Sequence, residues 1–180
     1  MTSKVCFREE QRFRQTWIWI LVFAACIPAL AIFGYGMVKQ LVLHQPWGER
    51  PTSDTALLLA GALSISLVFA LVWLFWVANL VTEVRADGLY LRFFPFHRSW
   101  HKISLENLVS CEAKTYRPIG EYGGWGIRWN WSRKGKAYNV SGDRGVRLDY
   151  EDGKHLLIGS QQADELAAAL QSLLQERTQT

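Results

Sequence analysis

The sequence predicts an α+β membrane protein: a two-helix transmembrane hairpin followed by a mostly antiparallel β-barrel with a C-terminal α-helix. Three observations carry this. Residues 17–38 and 56–81 are apolar runs without a single Asp, Glu, Lys, Arg or His. From Thr82 onward the chain breaks into short β-prone runs parted by turn residues. The final QQADELAAALQSLLQER has helical apolar spacing.

The first run, WIWILVFAACIPALAIFGYGMV, is long enough to cross the ~30 Å hydrocarbon core of a bilayer. It is longer than the apolar stretch of a signal peptide, and no small-residue cleavage pattern closes it. Pro28 should kink it gently. The second run, ALLLAGALSISLVFALVWLFWVANLV, spans with some tilt. Gly61 and Ala62 allow close helix approach, and Ser64 and Ser66 can bond within their helix or across to the first. Neither run holds an ionisable residue, which argues against a channel or transporter acting alone.

The flanks set an orientation. Lys4, Arg8, Arg12 and Arg14 precede the first span, and Arg85 and Arg92 follow the second. The connecting stretch KQLVLHQPWGERPTSDT has only Lys39 and Arg50, offset by Glu49 and Asp54. The basic bias places both termini in the cytoplasm. The expected organisation is a cytoplasmic segment 1–16, a hairpin 17–81 with an external loop 39–55, and a cytoplasmic domain 82–180.

Within that domain, TEVRADGLYLRFF reads as a hairpin about Asp87-Gly88. RSWHKIS, VSCEAKTY, WGIRWNW and KAYNV read as further strands, and GVRLDYEDGKHLLIG as a second hairpin. Ser160 with Asp164 and Glu165 can begin the last helix, whose stripe is Leu166, Leu170, Leu173 and Leu174. Such a helix would plug one end of a closed or nearly closed sheet.

VRADGLYLRF, KISLENLVSCEAK, YGGWGIR and KAYNVSGDRGVRLDYEDGKHLLIGSQQADELAAAL together resemble the bacterial membrane-anchored PH-like domain proteins. The resemblance implies a PH-like barrel of two packed antiparallel sheets and a C-terminal helix, with a hairpin anchor before it. It implies little about activity. Classical PH domains hold phosphoinositides with basic residues around the first hairpin. Here that hairpin is Arg85-Ala86-Asp87-Gly88, without a lysine cluster.

The stretch YRPIGEYGGWGIR has four glycines in seven residues. It lacks the GxxxxGK of a phosphate loop and the GxGxxG of a dinucleotide fold. The glycines then serve backbone geometry: Gly120, Gly123 and Gly124 permit positive φ, and Gly126 marks a bulge or a close approach. Tyr122, Trp125 and Arg128 are the candidate binding residues there. The two rings either cover the barrel edge or form a docking surface. Arg133, Lys134 and Lys136 in WSRKGKAY are a candidate basic tip for anionic lipid, or a solvated turn. His97 and His101 have the spacing of two ligands on a helix, but their segment reads as strand or loop without a third ligand. Cys6, Cys26 and Cys111 form no metal-binding spacing and read as free thiols.

Neither a cofactor nor a metal is expected, and a net charge of +4 without a long basic run gives little support for nucleic-acid binding. The expected function is that of a non-enzymatic inner-membrane protein whose cytoplasmic module binds a protein partner or its own copies. The alternative is an accessory subunit of a membrane enzyme or transporter with a small-ligand or anionic-lipid site. A polar pocket lined by Tyr116, Tyr122 and Arg128 would favour the alternative.

Overall fold

A computed structural model describes residues 4–48, 52–130 and 135–178. The chain divides into two compact units. One is Arg14–Trp76, and the other runs from Val77 to the C-terminus and takes in the chain up to Phe13.

The first unit is a helical hairpin. Helix α1 (Thr16–Met37) continues as a π-helical turn, Val38–Val42, and helix α2 is Asp54–Val77. Both are long and apolar enough to cross a membrane. Few of their side chains are buried: Ile20, Leu21, Leu59, Leu63 and Phe69 are all exposed. Water would penalise so large an apolar girth, and lipid would not. Small residues hold the pair. The Met37 sulfur lies 2.7 Å from where a Gly61 Cβ would stand, and the Trp47 indole is 2.7 Å from that of Gly36. Ser64 and Ser66 each donate to the carbonyl four residues back, so both bond within α2. At the turn, Gln40 Nε2 donates to Thr52 O at 2.7 Å and Asp54 Oδ1 at 2.8 Å.

The second unit has nine strands among the described residues: β1 (Val5–Arg12), β2 (Asn79–Arg85), β3 (Gly88–Phe94), β4 (His101–Ile103), β5 (Leu108–Thr115), β6 (Gly126–Asn130), β7 (Gly135–Asn139), β8 (Arg144–Tyr150) and β9 (His155–Gly159). A short helix α3 (Pro118–Tyr122) precedes β6, and helix α4 (Ala163–Thr178) ends the described chain. The strands make two sheets, β1-β2-β3-β4 and β5-β8-β9-β7-β6. All ladders are antiparallel except β7–β9, which is parallel. The core holds Leu80, Val84, Leu89 and Leu91 from one sheet and Val146, Leu148 and Ile158 from the other. Leu166, Leu170 and Leu173 of α4 are buried as well, and α4 packs on β5, β8, β1 and β2.

Two boundaries differ from the sequence reading. Residues 5–12 are not a separate segment: they pair with β2 in register Arg12↔Asn79 through Arg8↔Glu83. The inward positions of β1 are Phe7, Glu9 and Gln11, so polar residues interrupt the alternation that marks a strand. At the other end, Asn79, Leu80 and Val81 belong to β2 rather than to the second span. Leu80 and Val81 continue the apolar run of α2 but are buried in the β-unit, and Asn79 is half-buried.

Candidate functional site

The inner faces of the two sheets part between β4 and β6. His101 and Ile103 point inward on β4, because they pair with Leu91 and Leu89 of the core face. On the other side, Trp129 of β6 pairs with Lys136 of β7, and the parallel ladder sets Lys136 beside Leu156 of β9. Between them lies a cleft of about 540 Å³. Ile103, Trp129, Tyr150 and Leu156 supply its apolar lining. Lys136, Lys154, His101 and His155 supply cationic or ionisable nitrogen, and Asp152 is the one carboxylate among the lining residues; Lys102 alternates with His101 and Ile103 and turns its ammonium outward to Asp87 and the Tyr90 ring.

Lys102 reaches Asp87 at 3.5 Å, and Lys154 reaches Asp152 at 2.5 Å. The hydrogen bond from Lys154 holds the Asp152 carboxyl below its usual range. Lys136 has no carboxylate partner among the described residues. Its Nζ lies 4.8 Å from the Trp129 ring centroid and 4.6 Å from that of Tyr138. His97 and His101 stack with ring centroids 5.8 Å apart, and His97 meets the Tyr138 ring edge-on at 5.8 Å. Burial, then the nearby His101 and Lys136, hold His97 below the ordinary imidazole value. Gly135 gives the His155 imidazole its room, since a Cβ there would stand 2.0 Å from Nε2.

The glycine-rich stretch lies on the other face of the second sheet. Tyr116 and Tyr122 are buried against Ala137 and Leu157, which alternate with the cleft-side residues of β7 and β9. Burial pushes the Tyr116 hydroxyl up to about 12, while its oxygen accepts from Asn139 Nδ2 at 3.0 Å. Arg128 pairs with Ala137 and so faces away from the cleft; its Nε donates to Trp125 O at 2.8 Å. Tyr116, Tyr122 and Arg128 therefore share the face of the second sheet that is turned away from the cleft. Trp125 is half-buried, and its indole N–H donates to Gly142 O at 3.1 Å. Arg133 and Lys134 lie outside the described residues. Lys136 is the second residue of β7, with its ammonium over rings inside the cleft.

The glycines divide. Gly123, Gly124 and Gly126 have φ of +70°, +119° and +114°. Gly120 sits inside α3. Pro118 opens that helix and Gly123 ends it, with Gly123 N–H donating to Ile119 O and Gly124 N–H to Pro118 O, both at 2.9 Å. Pro at the first position and Gly just past the last is the signal that could have revealed α3.

A model of a family of unknown function, DUF6141, matches residues 2–176. The chain belongs to DUF6141. The DUF6141 match runs through both apolar helices and through every described strand, so the hairpin and the β-unit occur within one family pattern. No curated protein and no solved structure matches the chain.

Sequence reasoning missed most of the cleft. Its residues come from β4, β6, β7, β8, β9 and the turn between the last two, and only the strand order and the meeting of the two sheets bring them together. Lys136 was visible as a basic residue but not as one packed on Trp129.

Proposed function

We propose that this DUF6141 member is an integral inner-membrane protein with both termini in the cytoplasm. Its β-unit is a PH-like module that binds without catalysing, and the cleft between β4 and β6–β7 is its binding surface.

The observation that carries this reading is the cleft itself: a concave surface with ammonium groups set over aromatic and aliphatic side chains. That arrangement suits recognition of a ligand or partner group. The membrane part rests on the exposed apolar girth of α1 and α2. Because β1 and β2 are neighbours in one sheet, the chain before α1 and the chain after α2 share one side of any membrane the helices cross. The basic flanks make that side the cytoplasm. The PH-like reading draws support from the antiparallel β1–β4 meander, the antiparallel set β5-β8-β9 and the terminal helix. The α3–β6–β7 segment is then an insertion that widens the second sheet and forms one wall of the cleft.

A photo-crosslinking residue at Trp129, in the full chain in native membranes, tests the reading. It should give one reproducible adduct that the same residue at Val109, exposed on β5, does not give. Identical patterns from both positions, or no adduct from either, would count against the cleft as the binding surface.

A further inference from the structure

We infer that the cleft binds an amphiphilic anion: a ligand with an apolar ring or chain that ends in a phosphate or carboxylate. The inference rests on the reading above that the cleft is the binding surface, and it adds the chemical class of what binds.

The charge pattern is asymmetric. Lys154 stands at the rim with Asp152 as its partner, and Lys102, on the outward side of β4, is paired to Asp87. Lys136 stands deeper, half-buried over the Trp129 and Tyr138 rings, with no carboxylate partner among the described residues. Near it, among the described residues, are two further polar atoms without a partner. His97 Nδ1 and Tyr138 Oη are both buried and make no hydrogen bond. A buried polar atom left unpaired is costly, and an ammonium drawn out of water is costly without an anion. One oxyanion at Lys136 supplies the missing counter-charge.

The apolar lining excludes two simpler ligands. A bare inorganic anion would pair Lys136 but leave the exposed Trp129 ring, beside the buried Ile103 and Leu156, facing water. A neutral apolar molecule would cover those side chains but leave the ammonium unpaired. At about 540 Å³ the cleft has the size of an ordinary small-molecule site. The same chemistry is offered by a soluble aryl or acyl phosphate and by an anionic lipid. The test separates these sources.

Full-length protein in nanodiscs of uncharged phosphatidylcholine is titrated with 1-naphthyl phosphate, 1-naphthol and inorganic phosphate. Naphthyl phosphate should bind saturably, and each of the other two at least about tenfold more weakly, the size of one charge-assisted contact. Lys136→Gln should weaken naphthyl phosphate by at least about tenfold, while Lys114→Gln, on an exposed position of β5, leaves it unchanged. A second readout needs no variant: bound naphthyl phosphate should protect Lys136 from reductive methylation. Replacing the lipid by phosphatidylglycerol separates the sources. Lost naphthyl phosphate binding identifies the bilayer lipid as the occupant, and unchanged binding identifies a soluble one. Equal binding of 1-naphthol or inorganic phosphate, or an unprotected Lys136, overturns the inference. If no probe binds while the Trp129 crosslink persists, the ligand class is wrong and the binding module stands. If the crosslink is absent too, both fall.

Discussion

The Glu9 carboxylate, on the first strand, accepts hydrogen bonds from Ser160 Oγ and from Gln161 N–H at 2.8 Å, at the entry to the last helix. Ser160 Oγ in turn accepts from Gln162 N–H at 3.0 Å. Beside this pair, Gln11 Nε2 donates to Gly159 O at 2.7 Å. Helix entries leave free N–H groups and carry positive potential, so a buried carboxylate there is favoured. Two side chains that precede the helical hairpin thus fasten the far end of the β-unit that follows it.

Glu9→Ala should therefore destabilise the β-unit by about 1–3 kcal/mol, as expected for a lost cap and charge-assisted hydrogen bonds. The loss should appear as faster amide exchange in α4 of the full chain in nanodiscs. Glu10→Ala, on the neighbouring outward position, is the control, because its partner Arg12 is on the surface. Equal α4 protection in the wild type and in Glu9→Ala would dismiss the cap.

A second prediction concerns the glycines. Gly124→Val places a β-branched residue at φ +119°, with Arg128 Nη2 only 3.3 Å from the new Cβ. Strain of about 1–3 kcal/mol should follow. Gly120→Ala is the contrast: it lies in α3, its nearest neighbour is Arg117 Cβ at 3.7 Å, and it should be neutral or slightly stabilising. Trp125→Ala removes a half-buried ring and its bond to Gly142 and should lower the melting temperature. Gly124→Val and Trp125→Ala melting like the wild type would refute the structural reading of this loop.

How much of this was legible depended on whether the signal was local. The helices α1, α2 and α4 and the hairpins about Asp87-Gly88 and Asp152-Gly153 follow from apolar period and turn residues, which neighbours in sequence supply. Strand β1 does not, because its inward Glu9 and Gln11 are polar, and the groups they bond lie more than a hundred residues away. The parallel β7–β9 ladder leaves no mark on either strand alone. For the same reason the Lys136–Trp129 pairing was hidden: it requires the hairpin register and the cleft together. The glycine stretch attracted attention by composition, yet Tyr122 proved to be a core residue and Arg128 a surface one.

His97 gives a pH dependence with a definite sign. Its folded value is lowered from 6.5, first by burial and then by His101 and Lys136. The folded chain therefore takes up this proton less readily than the unfolded chain. Its contribution to stability is complete above the unfolded value and is lost as pH falls through the lowered folded one. The melting temperature of the full chain should drop more between about pH 7 and about pH 5 than that of His97→Phe, which has nothing to titrate there. Parallel profiles for the two proteins would remove His97 from the account.

The last prediction joins topology to thiol chemistry. Cys6 is exposed on β1, while Cys26 and Cys111 are buried. Burial, with Glu112 beside it, pushes the Cys111 thiol up to about 11, so it is neither accessible nor ionised at neutral pH. In detergent-solubilised native protein a maleimide should modify Cys6 alone, and Cys111 should react only after unfolding. On the proposed orientation, which puts the paired β1 and β2 in the cytoplasm, an impermeant maleimide should then miss Cys6 in intact cells. The same reagent should reach a cysteine at Gln45, exposed in the connection between α1 and α2. A cysteine at Glu151, exposed in the β8–β9 turn, should stay unlabelled like Cys6 until the cells are opened. Labelling of Cys6 and of Glu151→Cys from outside, with Gln45→Cys protected, would invert the orientation drawn from the basic flanks. Labelling of Cys6 and Glu151→Cys on opposite sides would be the graver result, since both belong to one compact unit, which cannot straddle a bilayer.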